Sequence, residues 1–207
     1  MTRAQAKERN RRALLDAAFE VVSRDGYRAK LDEIAERADL TTGAIYSLFG
    51  SKNGLVVALV ADYLRQHYEE IEQVVPAGLD LLEAIDAFAR HYRRSCDAPH
   101  ARSGLSFQIT LLDMALHNLD LGAQLATSVR SQESHLIALF TGRSHYGSVV
   151  TPHQAQRLTT ALRALFVGLS QGVVLGLAHG ADEQYFADAA RALARGMSLM
   201  SHDADAS

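Results

Sequence analysis

Tryptophan is absent from this chain, cysteine occurs once, and proline occurs three times in 207 residues. A single thiol, Cys96, excludes an internal disulfide and fits a reducing compartment. Sparse proline, with Ala, Leu and Arg abundant, leaves long stretches free to be helical. The most apolar stretch, residues 164–178, is broken by Ser170 and Gln171, and it falls short of the roughly twenty residues that span a bilayer. The opening MTRAQAKERNRR is polar where a signal peptide needs an apolar run. A soluble, cytoplasmic chain with no membrane partner is therefore expected. Catalytic and metal-binding sets are missing too. The nine histidines show no HxxxH or HExxH spacing, and no G-x-S-x-G or phosphate-binding loop occurs. His91 and His100 flank Cys96, which leaves a thiol nucleophile or redox sensor as a minor alternative. No metal, no cofactor and no enzymatic activity are expected.

The net charge is −3, which by itself argues against a nucleic-acid partner, but the charge is unevenly spread. Residues 1–52 carry ten Lys and Arg against eight Asp and Glu; the remainder carries eleven against sixteen. Arg3, Lys7, Arg9, Arg11 and Arg12 crowd the start against the single acid Glu8. A small basic footprint on an acidic body fits local phosphate binding.

Behind that footprint lies the most informative stretch, LDEIAERADLTTGAIYSLFGSKNGL from Leu31 to Leu55. It reads as two short helices, a tight turn and the start of a third helix. Ile34, Ala35 and Ala38 form the inner face of the first, and Ala35 is small where the second must cross closely. Asp39 and Leu40 make the turn, and Thr41 can cap the next helix. From Ala35, the turn comes four residues later and the inward Ile45 ten later. That is helix-turn-helix spacing, in which the second helix enters a DNA major groove. Thr41, Thr42, Gly43, Ala44, Tyr46 and Ser47 are the candidates to face DNA, whereas Ile45, Leu48 and Phe49 should pack inside. Lys52, Arg3, Lys7 and Lys30 add candidate phosphate contacts. Arg, Asn and Gln, the usual two-pronged base readers, are missing from this helix. Base energy per subunit should then be modest, so two half-sites and DNA shape must supply the rest.

The ordered pieces Arg12–Phe19 (RALLDAAF), Asp25-Gly26-Tyr27, Asp32–Ala35 (DEIA), Thr42–Phe49 (TGAIYSLF) and Ser51-Lys52 resemble the DNA-binding domain of TetR-family transcriptional regulators over roughly residues 10–60. Three positions depart from that family. Asp39 stands where Gly is usual, although Asp tolerates a left-handed backbone better than most residues. Arg28-Ala29-Lys30 replaces a Thr or Ser cap, so Lys30 offers charge in place of a cap hydroxyl. Ser51-Lys52-Asn53-Gly54 lacks the acidic residues that follow the family's Lys, which removes a capping box and should loosen the start of the fourth helix.

The remaining pattern is helical throughout, with no strand pair, repeat or low-complexity block. Helices are expected over about 5–24, 51–74, 79–94, 105–116, 121–140, 152–177 and 182–200, in addition to the two of the motif. Pro152 suits a first turn, and His179-Gly180 should stop the helix before it. The fold class is all-α: a three-helix helix-turn-helix domain over 1–50, a larger helical effector-binding and dimerisation domain over 51–201, and a disordered tail over 202–207. Ala164, Gly168, Gly172 and Gly176 recur every four residues, a small-residue stripe that lets another helix come near. Ala187, Ala190 and Ala194 supply a similar face on the last helix, with Met197 beyond. The resemblance implies a homodimer through these last two helices. It also implies an effector site among the central helices, for which Tyr63, His67, Phe88, His91, Tyr92, Phe107, Leu111, Met114, His117, Phe140, Phe166 and Gln171 are the candidates. Plain core packing is the competing reading for each of them. A mainly apolar small molecule is the expected ligand.

The expected function is sequence-specific binding of a palindromic operator in double-stranded DNA, as a repressor released by a small-molecule effector. An activator or effector-independent regulator is the alternative. An enzyme on a helical bundle is the more distant one, with no catalytic set to support it.

Overall fold

The computed structural model describes residues 2–196; Met197, the expected end of the last helix near Met200 and the tail 202–207 lie outside them. Nine α-helices are present among the described residues: α1 (Arg3–Asp25), α2 (Leu31–Arg37), α3 (Thr42–Phe49), α4 (Lys52–Val74), α5 (Leu81–Ser95), α6 (Ala101–His117), α7 (Leu119–Phe140), α8 (Pro152–Val174) and α9 (Glu183–Gly196). Three of them open on complete capping boxes, Thr2 with Gln5, Asp80 with Glu83 and Thr151 with Gln154, each tying up backbone N–H groups that a helix start leaves bare. None of the described helices alone is long and apolar enough to cross a membrane.

The described residues divide into two compact units, one of residues up to 67 with 102–132 and one of residues 68–101 with those from 133 to 196. That is not the division at residue 50 that the sequence suggests. The reason is packing: α6 and the start of α7 bury Phe107, Met114, Leu121 and Leu125 in the same core as Leu14, Val21, Ile34, Ile45, Leu55 and Leu59. Phe107 lies 5.1 Å from Phe19 and 5.4 Å from Tyr63, ring centre to ring centre. Helix α6 begins four residues earlier than its apolar density predicts, because Gly104 is a contact site rather than a loop residue. A Cβ there would stand 3.0 Å from the Tyr63 hydroxyl.

In the second unit α9 packs along α5, and α8 against both. Phe88, Tyr92, Phe166 and Phe186 interlock at 4.9–6.2 Å, with Phe140 5.9 Å from Phe88. The expectation of no strand pair is corrected here. Ser144–His145 and Ser148–Val149 form a two-residue antiparallel ladder, turning through Tyr146 and Gly147, both at positive φ (48° and 80°). Two such residues give the turn whose twist suits a hairpin, but it is usually made by Asn-Gly, so the sequence carries no warning of it.

Burial pushes the imidazoles of His91 and His145, both in this unit, below their ordinary value of 6.5, more than Glu70 or Asp80 offsets. Such a group is held neutral by the fold, while the unfolded chain takes up its proton first as pH falls. Its stabilisation is complete above about pH 6.5 and is lost as pH drops through that value toward the lower folded one. Melting temperature should therefore fall between about pH 7.5 and 5.5, and replacing both residues by Gln should flatten that step. An equal step in the double variant would place its origin elsewhere.

Candidate nucleic-acid interface

Helix α2 ends because Asp39 enters the left-handed region at φ 53°. Leu40 N–H then reaches the Ala35 carbonyl at 2.9 Å and Asp39 N–H the Glu36 carbonyl at 3.0 Å, the paired bonds of a helix stop. Asp does at this turn what Gly would do. The chain re-enters a helix at Thr42 with its inner face set by fully buried Ile45 and by Leu48 and Phe49, which pack on the same core. Thr41, Gly43, Tyr46 and Ser47 are exposed on the opposite face, Tyr46 by 54%. Thr42 is half-buried, and its hydroxyl donates to Asp32 Oδ1 at 2.8 Å, tying α3 back to α2. Ala44 departs from the expected outward set, since it packs against the core. Arg3, Lys7 and Lys30 are exposed at the starts of α1 and α2.

Residues 14–59 match the family model described as bacterial regulatory proteins, tetR family. The N-terminal segment is similar to the corresponding segment of tetR-family regulators. A similar segment occurs in the transcriptional repressor KstR of Rhodococcus jostii, 37% identical over 95 residues, which is 44% of this chain and 43% of that protein. Another occurs in the uncharacterized HTH-type transcriptional regulator TtgW of Pseudomonas putida, 39% identical over 80 residues, 38% of this chain and 58% of that one. The chain thus spans about half the length of the curated relatives it matches. At the level of fold the likeness extends further. The structure of the regulator FadR from Bacillus subtilis, solved with stearoyl-CoA, superposes with a TM-score of 0.63 at 18% identity, covering 92% of this chain and 99% of that one.

The matched segment is held together by polar side chains within it and just beyond its edges. Asp62 of α4 is buried and accepts from Arg12 of α1 at 2.8 Å, from Arg65 at 2.9 Å and from Gln66 at 2.8 Å. Arg24 bridges Asp25 and Glu33, joining α1 to α2. Lys52, expected as a phosphate contact, gives its ammonium to the Ala29 carbonyl at 2.6 Å, and burial pulls its pKa down. It tethers the segment before α2 to the start of α4. No side chain caps α2, whose first flanking residue is Lys30.

The expected loosening at α4 is half corrected: Ser51 Oγ accepts from Gly54 N–H at 3.0 Å. Gly54 itself is dictated by space. A Cβ there would sit 2.0 Å from the Phe49 carbonyl oxygen, a backbone atom that cannot swing aside. Gly54→Ala should therefore lose about 1–3 kcal/mol by overpacking, more than the ~1 kcal/mol that Ala gains over Gly in a helix. Thermal melting reads the difference; a variant as stable as the parent would show that the α3–α4 turn has slack.

Of the expected effector residues, Tyr63, His67, Phe107, Leu111, Met114 and His117 fall in the first unit and Phe88, His91, Tyr92, Phe140, Phe166 and Gln171 in the second. Phe107, Met114, Phe88, Phe140 and Phe166 are fully buried packing residues. His117 is exposed, held by the Asp113 carbonyl at 2.8 Å, and so anchors nothing internal. Cys96 donates to the Tyr92 carbonyl at 3.4 Å, and burial raises its pKa, the opposite of an activated thiol.

The dimer stripe is also redrawn. Gly172 faces its own chain, because a Cβ there would meet the Ala178 Cβ at 2.9 Å. Gly176, at φ 72°, is the stop of α8, with Leu177 N–H on the Gly172 carbonyl at 2.7 Å and Gly176 N–H on the Val173 carbonyl at 3.0 Å. Helix α8 thus ends at Val174, short of the expected Leu177. Ala187, Ala190 and Ala194 are fully buried within the chain, where α9 lies on α5. Ala164, Val167 and Gly168 of α8 are exposed, as are Leu175 and Leu177 beyond its end and Tyr185 of α9.

Proposed function

We propose that this chain is a homodimeric, DNA-binding transcriptional regulator that acts as a repressor in the cytoplasm. The observation that carries the reading is α3, with an apolar face locked in the core and Thr41, Gly43, Tyr46 and Ser47 turned outward, in the same unit as the exposed bases Arg3, Lys7 and Lys30. A helix so presented suits the major groove, and the bases suit the flanking phosphates. That KstR is a repressor supports the direction of control. Fluorescence anisotropy on short duplexes tests it. Affinity should fall steeply with added salt, as released counterions require; binding indifferent to salt would contradict phosphate contact.

Two copies of the α8–α9 face bring the readers together on a palindrome, about one helical turn apart or a multiple of it. Gly168 lies open, with nothing within 4 Å of a Cβ built on it, so a large side chain there spares the monomer. Gly168→Arg should shift the protein to monomer in sedimentation and weaken operator binding. An unchanged dimer would place the interface elsewhere.

A mainly apolar small molecule is the effector. FadR, of like fold, was solved with an acyl-CoA. Such a molecule would act through α4, whose residues belong to both compact units. Linkage then makes ligand and operator oppose each other by one factor, typically about 5–150-fold. Titrating a ligand with and without operator reads it, and equal ligand affinities would remove the control mechanism.

A further inference from the structure

We infer that Asp32 sets the hydrogen-bonding polarity of α3: it takes the one proton that Thr42 can donate, so that Thr42 reads an amino-bearing base, adenine or cytosine, and not a keto base. The inference rests on the DNA-binding reading above. Thr42 Oγ1 and Asp32 Oδ1 are 2.8 Å apart. A carboxylate only accepts, so the hydroxyl is the donor, and a hydroxyl has one proton to give. What remains on Thr42 for a ligand is lone pairs and a methyl group.

Position makes this consequential. Thr42 is the first residue of α3, and the N-terminal residues of a second helix in this motif are those that reach base edges. A free threonine hydroxyl turns to suit either kind of base edge. One committed to Asp32 cannot. In the major groove adenine N6 and cytosine N4 present donors, whereas guanine O6 and N7 and thymine O4 present acceptors. Asp32 itself lies in the first turn of α2 and is exposed. Its carboxylate oxygens add further acceptors beside Thr42, which suit cytosine N4 and are repelled by the guanine edge. Asp32 is thus a positioning residue that acts through Thr42. The sequence does not show it, because residues 32 and 42 sit on different helices and Asp32 reads as an ordinary first-turn acid.

Selection of bound duplexes from a randomised pool tests the pair. At one position per half-site the parent protein should favour A or C on the contacted strand over G or T by roughly tenfold, the size of a single mismatch. Asp32→Ala frees the hydroxyl and should erase the preference at that position while the other positions hold. Asp32→Asn keeps an oxygen to accept the proton and should retain more of the preference than Asp32→Ala; it also serves if the alanine variant folds poorly. Thr42→Val removes the lone pairs and should erase the preference too. Two results overturn the inference: Asp32→Ala weakening every sequence alike with base preference intact, which makes the bond a mere brace between α2 and α3, or a parent protein that favours G or T where Thr42 acts. A parent protein that selects no sequence at all fails differently, by removing the DNA-binding reading and this inference with it.

Discussion

Gly43→Glu is expected to abolish operator binding while leaving the fold intact. Gly43 sits on the exposed face of α3, and a Cβ built there meets only the Thr41 hydroxyl, at an ordinary 3.6 Å. A glutamate has room to stand, and it gains in helix propensity over glycine. In the proposed complex, however, it places a carboxylate in a groove walled by phosphates. Like-charge juxtaposition costs several kcal/mol, about a hundredfold or more in affinity, and a dimer incurs it twice. Anisotropy with the selected duplex measures the loss, and thermal melting checks the fold. Binding within a few-fold of the parent would mean that α3 is not the reading element, whatever the family likeness.

The largest effect on stability is expected at Arg143. Its guanidinium is buried and works as a knot, with Nε on the Leu139 carbonyl at 2.6 Å and Nη1 on the carbonyls of Leu79 at 2.7 Å, Pro76 at 3.1 Å and Ala77 at 3.4 Å. It joins the C-terminal end of α7, where a cation is favoured by the helix dipole, to the turn between α4 and α5. Burial lowers its pKa, which shows that the charge is held at some desolvation cost. Arg143→Met keeps the apolar stem and relieves that cost, but it leaves the Leu139 and Leu79 carbonyls without their donor. Unsatisfied carbonyls and lost charge-assisted bonds outweigh the relief, by on the order of 3 kcal/mol. For a chain of this size that is a drop of about 6–12 °C in melting temperature. A variant as stable as the parent would show that other donors replace the guanidinium.

These residues also mark where sequence reasoning stops. The helix-turn-helix was legible because its information is local: Ile34, Ala35 and Ile45 repeat at helical spacing, and Asp39 is a residue that tolerates the φ of 53° it adopts. The knots were not. Arg12 and Asp62 lie 50 residues apart, Arg143 and Leu79 lie 64 apart, and Asp32 and Thr42 lie ten apart across a turn. None of these pairings shows in the sequence until packing brings the partners together. The small-residue stripe on α8 is only partly outward, for another reason. A glycine admits a close neighbour without saying which one, and at Gly172 the neighbour is Ala178 of the same chain. The alanines of α9 likewise mark a close approach, but to α5 of their own chain. The aromatic residues of the body were located as apolar faces, yet Phe88, Phe140 and Phe166 spend their surface on one another.

The central claim is that α3 reads a specific sequence from a symmetric pair of chains. Sequencing of duplexes enriched from a random pool by this chain at moderate salt tests it most directly. The account predicts an inverted repeat whose half-sites are centred about one helical turn apart or a multiple of it, and loss of that enrichment in Gly43→Glu. A pool that stays random, or a repeat enriched equally well by Gly43→Glu, would contradict it.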